Sequence, residues 1–429
     1  MGGKMKTSRW IALALTVLLT AVLVGCGPEK NIEIVVSGPK TYVSSEQCKV
    51  CHLEHYDSWK MTLHSRTLQD VIHNKDSIIT DIDPKTIRAD LKKREKELKV
   101  PVDEFYIPNI EEIKYAQGIQ WRQRYVVEKK GKLYIAPIEY DAWNHDWSNY
   151  READWDKRPW IEKCGGCHAT GVDLEKGTFA EAGVGCEACH GPASHHVVLP
   201  KTAVFDKRLT IVNPSKLPAG IRTQTCGACH GSGRSSRIKT VDWPVGFLPG
   251  RALGSFQNEV PRDGGDIAQF YDDTSVDRHH RQYNDWQQSI HAQKGVSCTS
   301  CHYVHQLGLP PTQFQTVGAG SGQCLNCHTG NTNKYAHAIH SFSNCIGCHM
   351  PRVAMSAESG AVLRHTFKLM PPENSLKAGG NEKVPNSCSS CHHHKNTPLE
   401  ALAGFLEAAK KNDTPLPFSV HKRPEQPKR

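Results

Sequence analysis

The chain has 429 residues, 38% hydrophobic and 23% charged, a globular composition with room for two or three ordinary domains. Its 17 Cys and 24 His exclude a plain soluble fold with incidental thiols. The pattern C-x-x-C-H should occur by chance about 0.04 times in such a chain, and it occurs eight times. The formal charge of +9 suggests nucleic acid or an acidic partner, a reading that these motifs remove below.

Lys4, Lys6 and Arg9 precede an apolar run from Trp10 to Val24, the pattern of a secretory leader whose core is short for a membrane span. Leu23-Val24-Gly25-Cys26 is similar to the lipobox of bacterial lipoproteins. Residues 1–25 therefore read as a lipoprotein signal peptide and Cys26 as the acylated first residue of the mature chain. An uncleaved anchor helix with a stray thiol is the alternative. Residues 26–44, polar with Gly and Pro, read as a flexible tether.

The first motif, Cys48-Cys51-His52, leads into Tyr56-x-x-Trp59-x-x-Thr62-x-His64. Asp83-Pro84 predicts a capped, charged helix running to about Val100. Residues 113–141 alternate well enough to predict a β-hairpin turning near Lys129-Lys130-Gly131. Trp143, Trp147, Trp155 and Trp160 then crowd the approach to the second motif, and their expected role is packing on a cofactor plane, with a docking face as the other use.

The remaining motifs are Cys164-Cys167-His168, Cys186-Cys189-His190, Cys226-Cys229-His230, Cys298-Cys301-His302, Cys324-Cys327-His328, Cys345-Cys348-His349 and Cys388-Cys391-His392. Before the fifth, Tyr283-x-x-Trp286-x-x-Ser289-x-His291 repeats the first aromatic helix position for position. Its Tyr, Trp and Ser form one helical stripe, with His to one side able to reach a metal; a core stripe with a surface His is the plainer reading. Thr397-Pro398 starts a short amphipathic helix to about Lys411, and the last residues are a disordered basic tail.

The spacing has a mechanism. Two Cys three apart lie on one side of a helical turn, so both sulfurs can bond the vinyl groups of one porphyrin, and the following His turns its imidazole to the iron. Zinc ribbons, disulfides and thioredoxin-type pairs do not demand a His at the fifth position eight times. The reading is eight covalently bound c-type haems. In so lean a chain they must form much of the core, close together as a stack or chain. Loss of the leader's three cations and one net negative charge per oxidised haem bring the total from +9 to roughly −2, so nucleic acid is not implied.

Sixteen His remain for the opposite faces of the irons, against only Met61, Met350, Met355 and Met370 in the mature chain. Met350 follows His349 directly and cannot reach the far side of that haem. Bis-histidine ligation throughout is the expected, low-spin and low-potential arrangement.

The sequence resembles the multihaem cytochromes c related to the tetrahaem electron carrier of ammonia oxidation, in a superfamily with hydroxylamine oxidoreductase and pentahaem nitrite reductase. The resembling segments span most of 45–395. They include both aromatic helices, Gly183-Val184-Gly185-Cys186-Glu187-Ala188-Cys189-His190-Gly191-Pro192, Gly295-Val296-Ser297-Cys298, Cys348-His349-Met350-Pro351-Arg352 and Pro385-Asn386-Ser387-Cys388. The resemblance implies distal roles for His64 and His291, and by position for His195, His305, His340 and His365. For the last two places His145 and His73 stand ahead of His55, His196 and His337. No C-x-x-C-K occurs, and no tyrosine can be matched to the oxidoreductase cross-link; both absences lower an enzymatic reading.

The expected fold is mainly α with much irregular structure and a small β-hairpin region, built around stacked haems. A four-haem module at 45–231, carrying the β insertion, precedes a second at 232–395, with 396–429 as helix and tail. The expected function is electron carriage by an exported lipoprotein at the outer membrane or cell surface. Its partners are redox proteins and extracellular acceptors; a conduit complex or oligomer is compatible. The rival is a reductase or oxidase of a small nitrogen or sulfur compound at one open haem.

Overall fold

The computed structural model describes residues 37–259, 281–308, 313–328, 345–354 and 362–411. The leader, Cys26, most of the tether, His340 and the tail from 412 lie outside the described residues. Lys40–Arg429 clusters as one compact unit.

Helices are short and are set by the motifs. α1 (Ser45–Lys49) enters the first motif, and α2 (Leu53–Lys60) buries Tyr56 and Trp59 on one stripe. α3 (Pro84–Lys93) starts as its sequence predicts: the Asp83 carboxylate accepts from the amides of Lys85 and Thr86, with Pro84 in the first turn. It stops at Lys93 rather than near Val100. Beyond it Arg94 pairs with Asp146 at 2.6 Å, and Leu98 and Val100 turn into the neighbouring apolar cluster. Packing there outweighs the helix propensity of Glu95-Lys96-Glu97.

The β region is larger than the predicted hairpin. β1 (Leu68–Asp70), β2 (Ile113–Gln117), β3 (Arg122–Lys129), β4 (Lys132–Asp141) and β5 (Asp146–Asn149) form an antiparallel five-stranded sheet in chain order. The β3–β4 turn sits at Lys130-Gly131, both with positive φ, which matches the right-handed twist of the strands. One face packs on α3 through Ile87, Leu91, Tyr125, Ile138 and Trp147. Trp147, Trp155 and Trp160 pack in the apolar clusters of this sheet. Trp147 and Trp160 are fully buried among side chains, Trp155 stacks on Tyr106 at 5.0 Å, and Trp143 is 71% exposed.

After the sheet come α4 (Cys186–His190), α5 (Ser194–Val197) and α6 (Ala219–His230). α7 (Gln282–Gln287) repeats α2 and packs on α6 so closely that a Cβ on Gly227 would sit 2.7 Å from the Tyr283 ring. α8 (Pro372–Ala378) and α9 (Leu399–Lys411) close the C-terminal side, joined by Lys410–Glu373 at 3.6 Å. Residues 241–243 bond back to 161–163, across the sequence boundary at 231/232: Trp243 Nε1 donates to the Ile161 carbonyl at 3.0 Å. No helix among the described residues is long and apolar enough to cross a membrane.

Candidate functional site

Each motif is a single tight turn. In the first, the His52 amide donates to the Cys48 carbonyl at 2.9 Å; the His302 and His328 amides do the same to Cys298 and Cys324. That turn brings both thiols to one side and leaves the imidazole free to swing beneath them. A π-helical turn at Ile161–Gly165 runs into the second motif and includes its first cysteine, Cys164.

All sixteen motif cysteines line one continuous cavity of about 4400 Å³ running from Gln47 to Ala409. Such a volume is several times the roughly 300–1,000 Å³ of an ordinary small-molecule site. Thiols of different motifs meet along it. Cys48 contacts Cys186, Cys167 contacts Cys229, Cys226 contacts Cys298, and Cys324 contacts Cys345. Cys189 interacts with Cys226 and Cys229, Cys301 with Cys324 and Cys327, and Cys348 with Cys388 and Cys391.

The imidazoles face one another in pairs across this cavity. Ring centroids are 6.5 Å apart for His52–His196, 6.2 Å for His64–His230, 6.0 Å for His190–His305, 6.3 Å for His302–His365 and 5.9 Å for His291–His328. With metal–imidazole bonds of about 2 Å, two rings on opposite faces of one ion have centroids roughly 6 Å apart. Backbone carbonyls fix the tautomer. Nδ1–H donates to a backbone carbonyl in His190 (Val212, 2.7 Å), His302 (Phe314, 2.9 Å), His349 (Phe367, 3.1 Å), His196 (Lys207, 3.0 Å) and His365 (Leu363, 3.0 Å). Nε2 is thereby left for a metal. Burial holds His64, His168, His305 and His365 at about 4, as neutral imidazoles able to ligate. Thiol pairs, neutral imidazoles and ring spacing together fit covalent haem.

Of the distal residues read from the sequence, the structure brings His64, His291, His305 and His365 opposite a motif histidine. His195 is not among them: its neighbour His196 faces His52, while His195 lies off the cavity. His73 is exposed and bonded to Asp70, and His145 is exposed in the β4–β5 connection beside Tyr140; neither reaches the cavity. His55 stands 4.7 Å from His305.

At the second motif a glutamine stands beside the imidazole. Among the described residues no imidazole faces His168; the Gln117 amide stands 3.5 Å from its Nε2 and accepts from Trp160 Nε1 at 2.7 Å. Arg124, Arg158 and Lys163 line the cavity beside it. Arg124 stacks on Tyr150 at 4.1 Å and pairs with the buried carboxylate of Glu139. This cationic wall was not anticipated, because its members come from β3 and from the loop before the motif.

Comparison with known proteins agrees with this geometry. The family described as cytochrome c554 and c-prime matches residues 47–102 and 139–191. The dissimilatory sulfite reductase MccA of Wolinella succinogenes is 24% identical over 260 residues, which is 52% of this chain and 32% of that relative. The chain thus spans about a third of that protein. In fold, the crystal structure of the outer cell wall cytochrome OcwA matches with a TM-score of 0.66 at 21% identity, covering 86% of each chain. An undecahaem cytochrome from the S-layer of Carboxydothermus ferrireducens aligns over 91% of this chain and 63% of its own, at 17% identity and a TM-score of 0.45.

Proposed function

We propose that this chain, which is a multihaem c-type cytochrome and transfers electrons, is an exported, lipid-anchored octahaem carrier in respiratory electron transfer. The observation that carries the reading is the single cavity reached by the cysteines of all eight motifs. A c-type haem at each motif supplies a reversible one-electron couple, tuned by ligand, burial and nearby charge.

The chain's own residues supply the rest. Five facing pairs, His52–His196, His64–His230, His190–His305, His302–His365 and His291–His328, serve as axial ligands. Cys-to-Cys neighbours order the motifs as first, third, fourth, fifth, sixth, seventh and eighth, with the second branching from the fourth. The leader and Cys26 supply export and the lipid anchor. Extracellular acceptors and redox proteins are the partners this arrangement suits.

A second reading has its own observation. The Gln117 amide stands 3.5 Å from Nε2 of His168, and Arg124, Arg158 and Lys163 line the same cavity. That combination favours reductive chemistry on a small anion at the second motif, on a side branch of the carrier. Intact mass and pyridine haemochrome test the main reading, with eight haems per chain expected and six or fewer contradicting it. Cys26→Ser tests the anchor: it should release the protein from membranes, and unchanged partitioning would favour an uncleaved helix.

A further inference from the structure

Glu187 lies inside the third motif, yet its bonds go to the first. Its side chain is 1% exposed. One oxygen accepts from the Ala193 amide at 2.8 Å, the other from the Ser44 amide at 2.8 Å, and the Val43 amide reaches both at 3.1 and 3.0 Å. Ser44 is the residue that opens α1, and Ala193 the one that opens α5. These two helices bring His52 and His196 to face each other at 6.5 Å. The Thr41 amide also donates to Ser194 Oγ, and the Ser194 amide to the Thr41 carbonyl, so both segments are tied together around the carboxylate.

Backbone conformation points the same way. Ser44 has a φ of 74°, a region that a residue with a Cβ adopts only when its surroundings hold it there. Here the conformation turns two successive amides, 43 and 44, onto one carboxylate. All the partners bonded to the Glu187 side chain are backbone N–H donors, an arrangement that matches the acceptor oxygens of a carboxylate. It lines the cavity, and its charge is felt at Cys48.

We propose that Glu187 is a positioning residue for the axial pair His52–His196 and a fixed negative charge that lowers the reduction potentials at the first and third motifs. A carboxylate buried between the first and third motifs would favour the oxidised, more positive state of the haems held there, the more so in a low local dielectric. Glu181, which accepts from the Ser45 amide and hydroxyl, holds the start of α1 as well. The inference rests on the axial pairing proposed above.

The test is a potentiometric titration of the full-length, haem-loaded protein followed by optical and EPR spectra. Glu187→Gln should raise two midpoint potentials by at least a tenfold change in the oxidised-to-reduced ratio, about 59 mV for a one-electron couple. Glu187→Asp, which keeps the charge, should leave those potentials near their parental values. Unchanged potentials in Glu187→Gln, or equal shifts in both variants, would overturn the proposal. Should Glu187→Gln lose a haem, the parent protein decides: the low-spin signal lost in His196→Ala must titrate in the lower half of the range, and titration in the upper half overturns the charge assignment. His196→Ala separately tests the pairing, since a low-spin spectrum unchanged by that variant sinks the axial pair while the Glu187 titrations still read the charge.

Discussion

The indole of Trp59 donates to the carbonyl of Val184 at 3.0 Å across 125 residues of sequence, and Trp286 makes the same bond to Val296, ten residues on, at 2.9 Å. Two further bonds match. The Val184 and Val296 amides donate to the His64 and His291 carbonyls at 2.9 Å each, and the Thr62 and Ser289 hydroxyls donate to the Trp59 and Trp286 carbonyls at 2.7 Å each. The two segments are thus one structural unit used twice. In the first copy the five-stranded sheet and the second motif are inserted between His64 and Gly183. In the second copy Gly295 follows His291 almost at once.

Equivalent bonds should have equivalent worth. Trp59→Phe and Trp286→Phe each remove one indole donor, at a cost of about 1 kcal/mol apiece. Thermal unfolding of the loaded protein should register similar losses. A large effect at one site and none at the other would mean that the units only look alike.

The choice between adjacent histidines is testable. His196→Ala should convert one low-spin iron to high-spin, and His195→Ala should leave the EPR spectrum unchanged. The opposite pattern would restore the ligand expected from sequence.

The motifs were legible because their chemistry is local: five residues specify two thioether bonds and a ligand. Distal positions are non-local, and the repeated aromatic helices are what pointed to His64 and His291, whose rings stand opposite His230 and His328. At Ser194-His195-His196 the pattern could not choose, since successive residues on a helix point about 100° apart and only the docking of α5 decides which ring faces inward. For His73 and His145, candidates for the last two places, the structure shows exposed side chains beside Asp70 and Tyr140. The sheet was underestimated because β1 and β5 are only three and four residues long. Tryptophans near a cofactor motif gave no sign that the sheet would claim them first.

The second motif should behave unlike the others. Ferric protein is expected to show one high-spin iron, and carbon monoxide should shift one haem of the reduced protein. Both signals should vanish in Cys164→Ala/Cys167→Ala. Persistence of the signals in that variant would place the open site elsewhere.

Asp285 and Arg364 form a buried pair at 2.8 Å, each almost fully enclosed, and Asp285 also accepts from the His365 amide at 3.0 Å. Asp285→Ala strands the guanidinium and loosens the segment that aims His365 at the fifth motif. A loss of about 3–5 kcal/mol is expected. The His365-dependent low-spin signal should broaden along with it. A drop below about 1 kcal/mol would class the pair with ordinary surface bridges.

The central claim is that eight motifs along one cavity act as a connected electron store and wire. Its most direct test is coulometric reduction of the mature protein, followed by oxidation with a ferric chelate. The account predicts eight electrons taken up per chain over a broad range of potentials, and all eight returned in one continuous reoxidation. Uptake of six or fewer electrons, or a fraction left stranded in the reduced state, would contradict it.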